Sequence, residues 1–166
     1  SSFGGTGIER AQDISKTDDG GYVITGNTFS NDTDVSKNNG ESDIWLIKID
    51  EDGKLEWNKN YGGSQFEDGQ SVITSHDGGF IITGNTRSAD KDSNSNAGEN
   101  DIWLIKTDAN GSLEWQKTFG GAGIDLGFDA IETTDGSVIL VGETASEDFP
   151  TLLNKGKTDA VIIKIN

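Results

Sequence analysis

The stretch Asp43-Ile44-Trp45-Leu46-Ile47-Lys48 decides the fold, because it returns unchanged as Asp101-Ile102-Trp103-Leu104-Ile105-Lys106 and in weaker form over residues 159–164. Other landmarks recur at the same spacing of 58 residues: the aromatic-Gly-Gly triplets that begin at Phe3, Tyr61 and Phe119, and the Asp-Gly pairs that begin at Asp19, Asp77 and Asp135. No insertion or deletion disturbs this spacing. Three copies of one unit therefore organise the chain, and a fixed period of this length is typical of repeat architectures.

Each unit is predicted to contain four β-strands. Short segments rich in β-branched and aromatic residues, separated by turns such as Asp-Gly, favour strands over helices. In the first copy the expected strands cover about 12–17, 21–26, 43–50 and 55–61. The third of them is almost continuously apolar, which is typical of a strand buried on both faces. Sheets stacked face to face, with four strands per repeat, form the pattern of β-propeller blades, so we expect an all-β fold of this type.

The chain is expected to be a single repeat domain, 1–166, with repeats of approximately 1–60, 61–118 and 119–166. Its C-terminal strand could complete the sheet begun by the N-terminal strands. Three blades are fewer than the four to eight of a typical propeller. Two alternatives follow: half of a six-bladed ring made by two chains, or one segment of a longer array. Both leave sheet edges and faces uncovered, so we expect self-association.

The composition excludes several classes of function. The chain carries 29 acidic against 13 basic residues, a net charge of −16, and such a surface repels nucleic acid and anionic membranes. No apolar stretch approaches the roughly 18–20 residues needed to span a bilayer. Cysteine is absent, which excludes disulfides, zinc–thiolate sites and thiol nucleophiles. The acidity itself attracts cations, although it can equally serve solubility.

Two polar loops, 32–43 and 90–101, are candidate calcium sites. Each places oxygen-bearing side chains at alternating positions, followed by a glycine and a carboxylate, as hard oxygen ligands do around Ca²⁺. The candidate ligands are Asp32, Asp34, Ser36, Asn38 and Asp43 in the first copy, and Asp90, Asp92, Asn94, Asn96 and Asp101 in the second. The spacing does not match an EF-hand, and Pro150 replaces the second aspartate in the third copy. The alternative is an Asx-rich turn in which these side chains cap the backbone.

Catalysis has little support in the sequence. The acidic residues recur with the repeat, as at Glu9, Glu67 and Asp125, which are expected to accept backbone hydrogen bonds in turns. The single histidine, His76, lies beside an Asp-Gly turn and is expected to be exposed. A glycosidase-type pair of carboxylates is a minor alternative. The four tryptophans, at 45, 57, 103 and 115, are expected to fill space between blades, with sugar stacking as their alternative role.

The unit resembles the repeat of bacterial surface and secreted β-propeller proteins. The residues that carry the resemblance are the aromatic-Gly-Gly triplet, Phe-Ile-Ile-Thr-Gly-Asn-Thr at 80–86 and the Asp-Ile-Trp-Leu-Ile-Lys strand. The third copy, through 146–151 and 156–160, also resembles the bacterial β-propeller repeat family known by the letters SBBP. The resemblance implies a propeller fold and a secreted or cell-surface location, but no particular activity.

From these observations we expect a non-catalytic binding or adhesion module for a glycan or protein ligand. The alternative is a structural subunit of a surface assembly or filament.

Overall fold

The computed structural model describes residues 1–166 and contains eleven β-strands and no helix. The strands are β1 (Glu9–Lys16), β2 (Tyr22–Thr28), β3 (Asp43–Ile49), β4 (Leu55–Tyr61), β5 (Glu67–Thr74), β6 (Phe80–Thr86), β7 (Asp101–Thr107), β8 (Leu113–Phe119), β9 (Asp125–Glu132), β10 (Val138–Thr144) and β11 (Asp159–Ile165). They form three antiparallel sheets in chain order: sheet 1 is β1–β4, sheet 2 is β5–β8 and sheet 3 is β9–β11. The all-β prediction is confirmed. The structure offers no helical segment with the length and hydrophobicity to span a lipid bilayer.

Asp-Gly turns join the first two strands of every sheet. Gly20, Gly78 and Gly136 have positive φ angles of 91°, 83° and 80°, a conformation that residues with a Cβ atom rarely adopt. The preceding aspartate caps the turn in all three repeats. In sheet 2, for example, Asp77 Oδ1 accepts a hydrogen bond from the Gly79 N–H at 2.9 Å. The Asp-Gly signal in the sequence therefore marks the turn for a local, physical reason.

The first strand of each sheet begins three residues earlier than the sequence predicts, at positions 9, 67 and 125. One unpaired residue interrupts each of these ladders, at position 12, 70 or 128. Such a bulge resets the alternation of side chains along the strand. The three residues before each bulge therefore do not follow the alternation of side chains seen in the rest of the strand. For this reason the sequence did not reveal that they belong to the strand.

Sheet 3 has only three strands, and β11 is its edge strand. β11 pairs with β10 along its whole length, from Thr144–Asp159 to Val138–Ile165. The opposite edge of β11 has no partner strand in its sheet. Completion of the N-terminal sheet by this strand stays a prediction.

The three sheets pack face to face around two apolar cores. β5 lies against β1, β2 and β3, and β9 lies against β5, β6 and β7. The core between sheets 1 and 2 includes Ile44, Leu46 and Trp103, whereas the core between sheets 2 and 3 includes Ile102 and Leu104. Alternate residues of β7 thus enter different cores, and all seven of its residues are buried. This explains why its sequence is continuously apolar.

The tryptophans contribute to these packed layers. Trp45 and Trp103 on the third strands are buried. Trp57 and Trp115 on the fourth strands are half-buried and pack against the two cores. The expectation that tryptophans pack between sheets is met by Trp57, Trp103 and Trp115. It is not met by Trp45, which lies on the outward face of sheet 1 in a separate cluster with Val35 and Ile47.

Candidate functional site

The aromatic-Gly-Gly segment of each repeat is held by a set of side-chain acceptors that we call the glycine clamp. Consecutive backbone N–H groups of this segment donate to oxygens of side chains from the same repeat. In the second repeat the four bonds are Gly62 N to Asp92 at 3.2 Å, Gly63 N to Glu67 at 2.7 Å, Ser64 N to Asp90 at 2.8 Å and Gln65 N to Ser88 at 2.9 Å. The clamp satisfies a run of donors that has no partner in a sheet.

The same clamp recurs in the other two repeats. In the first it joins Gly4 to Asp34 (3.1 Å), Gly5 to Glu9 (3.1 Å), Thr6 to Asp32 (2.9 Å) and Gly7 to Ser30 (2.7 Å). In the third it joins Gly121 to Asp125 (2.8 Å), Ala122 to Asp148 (2.8 Å) and Gly123 to Ser146 (2.9 Å). Its first bond is missing there because Pro150 replaces the aspartate. The prediction that Glu9, Glu67 and Asp125 accept backbone hydrogen bonds is confirmed.

Four of the candidate calcium ligands therefore serve as clamp acceptors: Asp32 and Asp34 in the first repeat, and Asp90 and Asp92 in the second. Asn38 and Asn96 also form hydrogen bonds with the backbone of their own repeat. The Asn38 amide donates to the Thr28 carbonyl at 3.2 Å, and the Asn96 amide donates to the Thr86 carbonyl at 3.0 Å. Ser36 and Asn94 lie exposed on the loops.

The loop oxygens of one repeat do not converge on a common point. Asp34 faces Gly4, whereas Asp43, at the end of the same loop, faces the junction with sheet 2 and accepts a hydrogen bond from the Asn39 N–H at 2.8 Å. The chain contains no group of three or more histidine, cysteine, aspartate or glutamate residues placed to hold a metal ion. Calcium binding by these loops stays a prediction.

What the fold does bring together is an acidic group that spans two repeats. Asp43 from sheet 1 meets Glu67 and Asp92 from sheet 2 around Gly62. Asn39 bridges the two aspartates, since its backbone N–H donates to Asp43 and its side-chain amide donates to Asp92 at 3.2 Å. A Cβ atom on Gly62 would lie 2.3 Å from Asp43 Oδ1 and 2.8 Å from Glu67 Oε2. Glycine is therefore required here by close approach.

The electrostatics of this group are unusual. Asp43 is fully buried, and its Oδ1 atom has no hydrogen-bond partner. Burial, together with the neighbouring carboxylates of Glu67 and Asp92, raises the pKa of Asp43 to about 7. The Lys91 ammonium, which donates to the Asn39 carbonyl, lies close enough to oppose that rise. Sequence reasoning missed this group because its members come from different repeats.

The next junction repeats the arrangement with fewer acids. Asp101 from sheet 2 faces Asp125 from sheet 3, its Oδ1 atom is also buried without a partner, and burial and Asp125 raise its pKa. Asp159 occupies the same position in sheet 3 and accepts a bond from the Lys155 N–H. Asp43, Asp101 and Asp159 thus share a role in a local turn, since each accepts a backbone hydrogen bond from the residue four positions earlier.

The outward faces of the first and last sheets both carry clusters of apolar residues. The leading face, on sheet 1, consists of Phe3, Ile14, Ile24, Trp45, Ile47 and Ile49. The trailing face, on sheet 3, consists of Ile131, Ile139, Val141, Ala160 and Ile162. The leading face lines a cavity of about 410 Å³. On the trailing face Ile162 is 71% exposed and Ile131 is 56% exposed.

Both faces carry residues whose repeat equivalents are buried between two sheets. On the leading face, Trp45 and Ile47 are already covered within the chain by a small cluster that includes Val35. Ile24, Trp45 and Ile47 occupy the positions of Ile82, Trp103 and Ile105, which pack in the core between sheets 1 and 2. Ile139, Ala160 and Ile162 likewise occupy the positions of Ile81, Ile102 and Leu104, which are buried in the core between sheets 2 and 3. The two ends of the molecule thus display the two complementary halves of its own internal interface.

His76 lies apart from these features. Its side chain is 60% exposed, as predicted, and its ring Nδ1 is 3.8 Å from Glu132.

No family model matches the chain, and no curated protein is significantly similar to it.

Proposed function

We propose that the chain is a run of β-propeller blades that acts as a non-catalytic, self-associating module. The observation that carries the proposal is that the leading and trailing faces carry the two complementary sets of positions that form the internal interface, and that the trailing face is exposed, at Ile131 (56%) and Ile162 (71%). Apolar patches of this kind mark protein interaction surfaces in soluble proteins.

The arrangement of the sheets supports the propeller. In each pair of neighbouring sheets the first strands contact one another: β1 lies against β5, and β5 lies against β9. The fourth strands, β4 and β8, have no comparable contact. The sheets therefore diverge from the first strand to the last, as blades do around an axis.

The use of the acidic residues supports a structural role over catalysis. Asp32, Asp90 and Asp148 hold the same backbone segment in three repeats, and Glu9, Glu67 and Asp125 do likewise. Acidic residues that recur at the same position of every repeat stabilise the fold of the repeat, whereas a catalytic centre depends on an arrangement of groups that occurs once.

Of the two binding hypotheses, structural assembly has the more direct support, because the exposed faces fit blades of the same kind. Adhesion to a glycan or protein, and a secreted or cell-surface location, rest on the resemblance of the repeat to bacterial surface propellers. A completed assembly leaves the polar loops at the blade ends accessible, so the two hypotheses are compatible.

Sedimentation equilibrium over a concentration series tests the proposal. We expect a solution mass above the 17.7 kDa of one chain, in a buffer of physiological ionic strength that screens the repulsion between acidic chains. A mass that stays at one chain across the series contradicts it.

A further inference from the structure

We infer that two copies of the chain associate head to tail, the trailing face of each docking on the leading face of the other in the geometry of the internal junctions. This inference rests on the proposed function and names its partner, a second copy of this chain.

The apolar residues provide the first support. In the junction of sheets 1 and 2, Val23, Ile44 and Leu46 are buried by the sheet that carries Ile82, Trp103 and Ile105. A head-to-tail junction places Ile139, Ala160 and Ile162 against Ile24, Trp45 and Ile47. Every one of these six positions is apolar, so the docked faces exclude water as the internal ones do. Two identical faces would bring together surfaces that are nowhere in contact within the chain.

The backbone provides the second support. At each internal junction the residue before the third strand forms a parallel bridge to the next sheet. The Glu67 N–H donates to the Ser42 carbonyl at 2.7 Å, and the Asp125 N–H donates to the Asn100 carbonyl at 2.7 Å. Glu9 makes no such bond within the chain, and Thr158 occupies the position of Ser42. Head-to-tail docking brings the Glu9 N–H to the Thr158 carbonyl.

The strand edges provide the third support. Tyr61 pairs with Ile44 at the end of β4, and Phe119 pairs with Ile102 at the end of β8. Phe3 and Ala160 are the corresponding residues at the two ends of the chain. In the docked pair the Phe3 segment of one copy lies beside β11 of the other, so the shared blade expected from the sequence forms between chains.

The number of copies follows from the number of sheets. Each copy contributes three sheets, and propellers typically contain four to eight blades. Two copies supply a number within that range, whereas one copy or three copies do not. A two-copy ring covers both ends of both chains and leaves no apolar face exposed.

Two single variants test the direction of docking. Ile14→Lys places a charge on the leading face, and Ile162→Lys places one on the trailing face. Both side chains are more than half exposed in the single chain, at 56% and 71%, so the fold tolerates the change. Leu113→Lys, at a 40% exposed position on β8 of the middle sheet, is the matched control. Circular dichroism and thermal unfolding confirm that each variant is folded.

Each face variant alone is expected to sediment as one chain, and an equimolar mixture of the two as a two-chain species, because one trailing face and one leading face remain intact. The wild type and Leu113→Lys are expected to sediment as two chains. A wild type that is monomeric overturns the proposed function. A wild-type dimer that persists in either face variant alone overturns only the head-to-tail arrangement, and a mass of three or more chains overturns the two-copy ring.

Discussion

The Nζ atom of Lys106 lies 3.0 Å from Oε2 of Glu114, so a buried ammonium on β7 is paired with a carboxylate on β8. Asp77 approaches the same ammonium at 2.8 Å from the turn before β6, and the Thr107 carbonyl accepts a third bond. Lys48 repeats the arrangement in sheet 1 with Glu56 and Asp19. Burial alone would lower the pKa of each lysine, but the paired carboxylates raise it.

Removing both carboxylates that face Lys106 should destabilise the fold more than the sum of the single changes. Asp77→Asn or Glu114→Gln alone leaves one partner, and each carboxylate is itself half-exposed. The double variant leaves a buried, unpaired ammonium, which costs about 3–5 kcal/mol. Urea unfolding of the three variants measures the difference. Lys164→Met is the control: its exposed pair with Asp135, at 3.5 Å, should contribute less than about 1 kcal/mol. Additive single effects contradict the prediction.

The buried Asp43 should make stability fall as pH rises through the range from about 4 to about 7. The ordinary pKa of the group is 3.8, and in the folded chain it is about 7. Between these values the folded state holds a proton that the unfolded state has released, so a rise in pH favours unfolding. A pKa difference of one corresponds to about 1.4 kcal/mol.

Asp43→Asn should remove this component, and its free energy of unfolding should depend less on pH over the same range. Denaturant unfolding at several pH values, for the wild type and the variant, provides the comparison. Equal slopes for the two proteins would show that Asp43 titrates normally in the folded state.

Gly62→Ala should lower the free energy of unfolding by about 1–3 kcal/mol, the usual cost of overpacking. The new Cβ would lie 2.3 Å from Asp43 Oδ1 and 2.8 Å from Glu67 Oε2, and both carboxylates are buried. Gly120→Ala should behave alike, because its Cβ would meet Asp101 and Asp125 at the same distances. Gly156→Ala, whose Cβ would meet nothing within 4 Å, is the control and should be neutral in chemical denaturation.

Asp92→Ala should lower the melting temperature even in the presence of a chelator. The side chain accepts bonds from Gly62 and Asn39, and a lost hydrogen bond to a charged group costs about 1.5–3 kcal/mol. Calcium binding by the loop, as the sequence predicts, would add a second effect: Ca²⁺ should raise the melting temperature of the wild type more than that of the variant. Differential scanning calorimetry with Ca²⁺ and with chelator separates the two contributions. An identical response of both proteins to Ca²⁺ argues against the loop site.

Local patterns in the sequence predicted most of the fold. The Asp-Gly pairs predicted turns because the side chain and the positive φ act within a few residues, and the apolar run of β7 predicted burial on both faces. The bulge at Gln12 hid the start of β1, since it breaks the alternation on which strand prediction depends. The clamp role of Asp34 was missed because its partner, Gly4, lies thirty residues earlier in the chain.

The acidic group at the first junction was beyond the reach of sequence reasoning for a different reason. Asp43 and Asp92 belong to separate copies of the same loop, and a comparison of copies aligns Asp43 with Asp101 and never pairs it with Asp92. Only the stacking of sheet 2 on sheet 1 brings the two carboxylates to Asn39. A comparison of repeats shows which residues are equivalent, but the contacts at this junction form between residues at non-equivalent positions of two repeats.

The interface between neighbouring sheets, which is formed by the same positions in every repeat, also affects how the gene for this chain can evolve. Every junction uses the same positions, so the surface at the end of one repeat is the surface that the next repeat requires. Recombination that deletes or duplicates one whole repeat leaves both outer surfaces matched, because stability in such arrays depends on nearest neighbours. Under the proposed head-to-tail pairing, the number of sheets encoded in one chain can therefore change by whole repeats without leaving an unmatched outer surface.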